Sequence, residues 1–270
     1  MMHTRLTHSR LLIVGTVRNC EKSIEKTIQT LVASCSQFKE TFFFIVESDS
    51  SDKTLQILNR LSQQNPYFQY VSLGNLCPTH PKRTDRLALC RNRYLDEIRE
   101  NEHYETIDYV LVVDLDGVTN RLTPQSLQAC WELTQDWDAL FANSSGRYYD
   151  IWALRHPIWC PTDCWQAVNT LKNVMSETEA KELAIYSKMV KIYNNSPLIM
   201  VDSAFGGLGI YKKHLMLESR YDGLTPEGEE CCEHVAFHQG LRAKNRLLFI
   251  NPALITCDEI KAHMRPWRLF

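Results

Sequence analysis

The sequence has no long hydrophobic run and no marked excess of charge of either sign. Its longest apolar runs, Phe42–Val46 and Tyr109–Val113, are five residues long, whereas a membrane-spanning helix needs about 18 or more. The 30 Lys and Arg residues nearly balance the 32 Asp and Glu residues, so the formal net charge is −2. The sequence therefore predicts no membrane span, and it offers no general basic field to attract nucleic acid.

The sequence also lacks the CxxC pair that is typical of zinc sites. It has ten cysteines but no CxxC pair, and several lie within apolar segments, as reduced thiols in cytoplasmic proteins do. We therefore expect a cytoplasmic protein. Met1–Arg10 has no apolar stretch long enough for a signal segment and is expected to be a short lead-in to the first strand. A structural zinc site is the alternative, and its ligands would be Cys160, Cys164, Cys231, Cys232, His234 and His238.

What the sequence does contain is an alternation of strand-like and helix-like segments. Of its 270 residues, 44% are hydrophobic, which is enough to bury a core in one large domain. Up to residue 120, predicted strands at 11–16, 42–47, 69–73 and 108–113 alternate with predicted helices at 20–34, 54–61 and 86–99. This alternation predicts an α/β fold with a mostly parallel central sheet flanked by helices. The later chain is less regular, with predicted helices at 123–134, 176–192 and 232–242 and predicted strands at 139–143 and 247–250.

The strongest local signal is a pair of carboxylates at the end of the fourth predicted strand. Asp114 and Asp116 are separated by one residue and directly follow an apolar run, so both side chains can reach one hard cation. Mg²⁺ and Mn²⁺ prefer oxygen ligands and usually keep water and substrate phosphates as further ligands. The motif therefore predicts a metal-diphosphate site. The alternative is a solvated turn capped by an Asp side chain.

Polar residues also follow the first and second predicted strands. In open α/β sheets, ligands bind beyond the carboxyl ends of the strands, which draws attention to Thr16–Asn19 and to the acidic turn that begins at Glu47. Glu47 and Asp49 can accept hydrogen bonds from ribose hydroxyls or from a base. Asp52 is expected to cap the following helix whatever the role of the other two.

A phosphatase is one alternative function for the same residues. The strand followed by Asp-Leu-Asp-Gly-Val at residues 114–118 resembles the first motif of the haloacid-dehalogenase phosphatases, which implies Asp114 as nucleophile and Asp116 as acid/base. That family places this strand near the start of its domain and has a downstream Lys and a later strand-end acidic pair. Here several strand-helix units precede Asp114, and no such acidic pair follows it.

The order of the motifs resembles that of the GT-A nucleotide-sugar glycosyltransferases. An acidic turn, an Arg-Asn pair and an Asp-x-Asp motif occur in that order, at 47–54, 91–92 and 114–116. A closer resemblance is to the fungal capsule-associated and α-1,3-mannosyltransferase family, through Asp85–Asn92 and Tyr149–Arg155. It extends over about residues 11–256. This chain has a clear Asp-x-Asp motif, which that family often lacks.

The resemblance implies a GT-A-like (Rossmann-like) fold and transfer of a hexosyl group from a nucleotide diphosphate sugar. One domain would span residues 1–270, with a nucleotide-binding half at about 10–120 and an acceptor half at about 121–260. The donor would be UDP- or GDP-linked, the metal Mn²⁺ or Mg²⁺, and the acceptor a glycan or a lipid-linked saccharide. A non-catalytic domain that binds nucleotide sugars or glycans is the remaining alternative.

Most of the expected site residues surround the donor. Negative charge grows on the leaving phosphate during such a transfer, and a divalent cation with Arg91 or Arg86 nearby would stabilise it. An alternative for Arg91 is an ion pair with Asp96 on its own helix. The predicted donor-binding residues are Thr16, Arg18, Asn19, Glu47, Asp49, Arg86, Arg91, Asn92, Asp114 and Leu115. The predicted metal ligands are Asp114 and Asp116, and the resemblance adds His234 or His238.

The acceptor half carries the expected sugar contacts. Tyr149, Trp152 and Arg155 combine aromatic faces with hydrogen-bonding groups, as sugar sites do. Gly206 and Gly207 lack side chains, so the backbone there can approach a ligand closely. The structural alternatives are aromatic packing within a loop and a tight turn.

Two acidic residues are the candidate catalytic groups. In GT-A enzymes an acidic residue at the start of the late helix faces the acceptor, which implies Glu233 as general base or acceptor contact. Asp150, within the aromatic segment, is the second candidate. The segment His263–Phe270 is basic and aromatic, which suits peripheral membrane contact, a lid over the site or a plain tail.

Overall fold

The computed structural model describes residues 6–258, which fold around a central sheet. Its strands are β1 (Arg10–Val17), β2 (Glu40–Glu47), β3 (Phe68–Ser72), β4 (Tyr109–Val113), β5 (Ala139–Ser144), β6 (Ile199–Met200), β7 (Leu208–Lys212) and β8 (Leu248–Cys257). Their order across the sheet is β3-β2-β1-β4-β7-β5-β8-β6. All point the same way except β6 and β7, which run antiparallel to their neighbours. The mostly parallel α/β sheet predicted from the sequence is confirmed.

Helices lie on both faces of the sheet. One face is covered by α1 (Ile24–Ser34), α2 (Thr54–Gln64) and α4 (Pro124–Gln128). The other is covered by α3 (Arg83–Glu100), α5 (Cys164–Leu171), α6 (Glu177–Ala184) and α7 (Glu233–Arg242). Short 3₁₀ helices span Glu102–Tyr104, Tyr186–Lys188 and Lys213–Leu217.

Strand β1 contains a continuous apolar run at residues 11–14, and its position in the sheet explains this run. Leu12 and Val14 are buried in the apolar cluster on one face of the sheet, and Leu11 and Ile13 are buried in the cluster on the other face. Side chains alternate between the two faces of a strand. A strand covered on both sides by helices therefore needs apolar residues at every position.

Two predicted helices are shorter than their apolar pattern indicates. The helix predicted at 123–134 ends at Gln128, because the chain then turns so that the Trp131 ring packs edge-on against Phe38 and Tyr109. The helix predicted at 176–192 ends at Ala184. Beyond it, Met189 has a ψ of 82°, which is not helical, and the Val190 carbonyl accepts a hydrogen bond from the Tyr148 N–H at 2.8 Å.

Strands β6 and β7 and helix α5 were not predicted from the sequence. Strand β7 pairs antiparallel with both β4 and β5 and so joins the two halves of the sheet. It emerges from the small, Gly-rich segment at 202–211, a composition that disfavours strands. Helix α5 begins directly after Asp163, whose carboxylate accepts the backbone N–H groups of Trp165 and Gln166.

Two further observations bear on the sequence predictions. No helix within residues 6–258 is long and apolar enough to cross a membrane, and all ten cysteines are free thiols. The segment His263–Phe270, with its predicted membrane or lid contact, lies outside the described residues.

Candidate active site

A cavity of about 540 Å³ opens beyond the carboxyl ends of β1, β2 and β4. This is the edge at which ligands bind in open α/β sheets. The predicted site residues that line it come from both halves of the chain: Thr16, Arg18, Asp49, Arg86, Arg91, Asp114, Leu115, Asp116, Tyr149, Asp150, Trp152, Glu233 and His234. The fold therefore brings most of the predicted site together in one place.

Carboxylates converge on this cavity. Asp114 follows β4, and its backbone N–H donates to the Gly207 carbonyl at 2.9 Å; Asp116 is exposed. Burial raises the pKa of Asp114 to about 7, and the negative charges of Asp116, Asp150 and Glu233 add to this effect against the opposing charge of an arginine. Such a concentration of negative charge favours a bound cation.

Arg91 is the positive charge among these acids. It is 3% exposed, and its Nε donates to Glu233 Oε1 at 2.9 Å while its Nη2 donates to Asp114 Oδ1 at 3.3 Å. Its guanidinium lies between the rings of Phe205 and Tyr221, at 5.4 and 5.8 Å from their centroids. Burial alone would lower the Arg91 pKa, but Tyr94 and then the carboxylates of Glu233 and Asp114 raise the pKa well above its ordinary value. Arg91 therefore links the end of β4 to the start of α7.

The two histidines differ in their surroundings. The ring nitrogens of His238 lie 2.8 Å from the Ser203 hydroxyl and 2.8 Å from the Tyr211 hydroxyl, so both are engaged. His234 lines the cavity and stacks on Phe205 with ring centroids 3.9 Å apart, and neither of its nitrogens has a hydrogen-bond partner among residues 6–258. Burial lowers the pKa of His238 to about 3 and that of His234 well below its usual range. Both imidazoles are therefore neutral.

The residues suit a cation that shares its ligands with a substrate. In the described part of the chain, no three His, Cys, Asp or Glu side chains are grouped to hold a metal by themselves. The predicted set of two aspartates and two histidines is thus not assembled as one site, and neither are the ligands of the alternative zinc site. Asp114 and Asp116 still supply the one or two carboxylates that Mg²⁺ or Mn²⁺ needs beside substrate phosphates.

Three predicted donor-binding residues hold loops and do not line the cavity. Glu47 is 1% exposed and accepts hydrogen bonds from the Ser50 N–H and the Ser72 hydroxyl. The Asn92 side chain bonds both the N–H and the carbonyl of Tyr221. The third, Asn19, accepts the Ser51 N–H at 2.8 Å. All three side chains therefore fix the backbone of neighbouring loops.

Asp49 does both. Its Oδ1 accepts the N–H groups of Leu76 and Cys77 at 2.9 Å each, and its backbone has a φ of 58°. The carboxylate also lines the cavity, with Oδ2 at 3.8 Å from Arg86 Nε. Burial opposes the negative charge, but the hydrogen bonds outweigh it and lower the pKa of Asp49.

Several predicted sugar contacts also turn out to organise loops. Arg155 does not line the cavity; its Nη2 contacts Asp163 Oδ2 at 2.7 Å, the atom to which Trp152 Nε1 donates at 3.0 Å. Gly206 and Gly207 have φ values of 67° and 82°. A Cβ on Gly206 would lie 2.7 Å from the Ala142 carbonyl oxygen. These glycines therefore form a tight turn, the structural alternative predicted for them.

No protein-family model matches the chain, and no curated protein sequence matches it either. Solved structures with a similar fold include the following two, each of which covers most of this chain. The mannosyltransferase PcManGT from Pyrobaculum calidifontis, in complex with GDP-Man and Mn²⁺, is 12% identical, with 97% of this chain and 58% of that chain covered and a TM-score of 0.52. Residues 1–349 of S. aureus TarS are 14% identical, with 89% and 57% covered and a TM-score of 0.50. The chain thus spans less than two thirds of either structure.

The fold is of the GT-A type. At this identity the similarity concerns the fold, and the closer resemblance to the fungal capsule-associated family stays a prediction. In the GT-A frame the cavity lies at the expected edge of the sheet, where β1, β2 and β4 end.

Part of the wall of this cavity was not predicted from the sequence. Arg83 lies at the start of α3 and lines the cavity together with Arg86 and Arg18. Arg83 and Arg18 are exposed, and no other side chain among residues 6–258 forms an ion pair with either. The spacing of Arg83 and Arg86, three residues apart on a helix, could have indicated a shared face. Phe205 and Trp165 also line the cavity, and no local motif marks them.

Proposed function

We propose that this protein is a glycosyltransferase that moves a hexosyl group from a nucleotide diphosphate sugar to a glycan or lipid-linked saccharide. One observation carries the proposal: in a GT-A-type fold, arginines and aspartates from the first half of the chain meet Asp150 and Glu233 from the second half in one cavity at the ends of β1, β2 and β4. That arrangement suits a ligand that combines a divalent cation with phosphates. The binding of GDP-Man and Mn²⁺ by the similar PcManGT structure makes GDP-mannose the first donor to test.

The donor would lie between the acids and the arginines. Asp114 and Asp116 would hold Mn²⁺ or Mg²⁺, which when bound offsets the negative charge that develops on the leaving phosphate. Arg18 and Arg83 are exposed at the cavity without an ion pair in the described residues, so their charges are left for phosphate oxygens. Arg91 Nη1 is buried without a hydrogen-bond partner among residues 6–258.

The acceptor would approach from the side of α7. Glu233 begins this helix and lines the cavity, and we assign it to the acceptor hydroxyl as general base or hydrogen-bond acceptor. Arg91 holds the Glu233 carboxylate in place through the 2.9 Å contact. Asp150 accepts the Gly206 N–H at 2.9 Å, so it would act chiefly by fixing the turn beside the sugar.

The proposal is tested by ligand-dependent thermal stability. The full chain is heated with UDP, GDP, CDP or dTDP, each with and without Mn²⁺, and compared with Asp116→Asn. A ligand at 100 times its dissociation constant adds about 2.7 kcal/mol to the free energy of unfolding. We expect one nucleotide to stabilise the protein only with metal and the variant to lose this effect. Asp136→Asn is the control, because Asp136 is exposed and does not line the cavity.

Other outcomes point to the alternatives. If no nucleotide stabilises the protein and metal has no effect, the metal-diphosphate assignment is wrong. Turnover of phosphomonoesters that is abolished by Asp114→Asn would then favour the phosphatase. Nucleotide-sugar binding without any transfer or donor hydrolysis would favour the binding domain.

A further inference from the structure

A second cavity, of about 520 Å³, adjoins the candidate active site. Met189 lines both cavities. The neighbouring Ile185 lines the first, while Tyr186 lines the second. The side chain of Lys181, from the second cavity, lies over the ring of Trp165, from the first, with Nζ 5.9 Å from the ring centroid. The two cavities therefore adjoin at Met189.

The lining of this second cavity offers both hydrogen-bond donors and acceptors. Arg147 and Glu182 are exposed, and within residues 6–258 no ion pair or hydrogen bond engages their side chains. Thr178 adds a hydroxyl, and Tyr186 adds an aromatic ring. The Tyr186 hydroxyl oxygen is shielded from solvent but lacks a hydrogen-bond partner in the described residues. A buried polar atom without a partner is uncommon in folded proteins.

The charges of the lining favour a neutral ligand. Lys181 and Glu177 neutralise each other through a contact of 2.5 Å, and the formal charges of Arg147 and Glu182 cancel. An anion would meet the carboxylates, and a cation would meet Arg147. Sugar hydroxyls both donate and accept hydrogen bonds, and sugar rings pack on aromatic faces, so a neutral saccharide matches this set.

We propose that the second cavity binds a neutral saccharide unit of the acceptor, adjacent to the unit that reacts in the main cavity. The proposal rests on the proposed glycosyltransferase function for the identity of the occupant as acceptor. Because Met189 lines both cavities, two adjacent units of one oligosaccharide would lie on either side of this residue. The protein would thus recognise an acceptor of more than one sugar.

Direct saccharide binding tests the proposal. The full chain is titrated calorimetrically with neutral hexasaccharides of mannose, glucose, galactose, xylose and N-acetylglucosamine, and with a hexauronate as the anionic probe. We expect at least one neutral probe to bind at millimolar concentration and Tyr186→Ala to weaken it about tenfold. Glu182→Gln, at an exposed position that cannot disturb folding, should weaken it about threefold. Tyr193→Ala is the matched control, since Tyr193 is exposed and lines neither cavity.

Each outcome separates this site from the proposed function. The proposal is overturned if no neutral probe binds, if both variants bind as tightly as the wild type, or if the hexauronate binds best. Nucleotide binding with Mn²⁺ is measured on the same variants and should stay unchanged. Loss of saccharide binding in the variants, with no nucleotide binding by any form, supports the saccharide site and contradicts the transferase.

Discussion

The two sides of the main cavity, which we assign to the nucleotide and to the acceptor and call the nucleotide side and the acceptor side, are built differently. Thr16, Arg18 and Asp116 lie at or just beyond parallel strands, and the hydrogen-bond ladder of the sheet places them. On the acceptor side, Asp150 and Gly207 lie in irregular loops. There the side chains themselves fix the backbone, as Asp150 does when it accepts the Gly206 N–H. Where strands place a residue, its side chain is left for a ligand, except for Glu47, which ends β2 and holds a loop. Where loops place a residue, some of the polar side chains are used for structure.

Arg91 is expected to be the largest exception to this difference, because it lies on the nucleotide side and yet stabilises the fold through its ion pairs. Arg91→Gln leaves Glu233 and Asp114 without their shared cation. Removing one partner of a buried ion pair costs about 3 to 5 kcal/mol. We expect this loss in the free energy of unfolding, measured by urea denaturation.

Arg93→Gln on the same helix is the control. Arg93 is partly exposed and pairs with Glu97 four residues on at 2.8 Å, so its loss should cost at most about 1 kcal/mol. Equal losses for the two variants would contradict a structural role for Arg91.

Gly207→Ala should sharpen the comparison by disturbing the acceptor-side turn. A Cβ there would lie 2.8 Å from both the Tyr149 hydroxyl and Val118 Cγ2, at a φ of 82°. Backbone strain and crowding together should cost about 2 to 4 kcal/mol of unfolding free energy. Thermal or urea unfolding measures the loss.

Gly228→Ala separates the two causes. Gly228 has the same φ of 82°, but a Cβ there would meet nothing within 4 Å. Only the backbone strain of about 1 to 2 kcal/mol applies. If both alanine variants lose the same stability, close packing at Gly207 contributes nothing.

Glu233→Gln tests whether Glu233, on the acceptor side, acts as the general base. The substitution keeps the shape of the side chain and removes the charge that a general base needs. Once the donor is known, kcat should fall by about 100-fold or more, while the Kd of the nucleotide with Mn²⁺ changes little. Glu227→Gln is the control, because Glu227 is exposed and does not line the cavity. Unchanged kcat in Glu233→Gln would exclude Glu233 as the base.

The strand-end residues could be predicted because periodicity and chain order determine them. A five-residue apolar run followed by Asp114 and Asp116 indicates a buried strand and its exposed end. Parallel strands bring such ends to one edge. The position of Thr16 and Arg18 beside them follows from the same rule.

The acceptor side could be predicted only in part, since tertiary contacts decide it. No local sequence pattern indicates that Arg155 pairs with Asp163 or that β7 inserts between β4 and β5. Likewise, the contact between Arg91 and Glu233 joins residues 142 positions apart. From the sequence, Arg91 was expected to contact a phosphate near the metal or to pair with Asp96 on its own helix. In the structure it pairs with Glu233 and Asp114.

His238 should give the smallest effect and tests whether this predicted metal ligand is structural. Burial first, and then the charge of Arg91, lower its pKa to about 3, and the ring is held between the hydroxyls of Ser203 and Tyr211 beside His234. The unfolded state, with a His pKa of about 6.5, therefore binds more protons below pH 6.5. The stabilising contribution of neutral His238 is complete above that pH and is lost as the pH falls towards 3, at about 1 kcal/mol between pH 6.5 and 5.5.

Urea unfolding between pH 7 and 5 measures this dependence. The free energy of unfolding of His238→Gln should fall less steeply with falling pH than that of the wild type. The wild-type slope also includes the contribution of the buried His234. The variant should leave Mn²⁺-dependent nucleotide binding unchanged. His214→Gln should keep the wild-type slope, because His214 is exposed. A His238→Gln variant that keeps the wild-type slope but loses metal-dependent binding would restore His238 as a ligand. It would also mean that, at this position, the acceptor side supplies a group to the metal and not only a support for the loops.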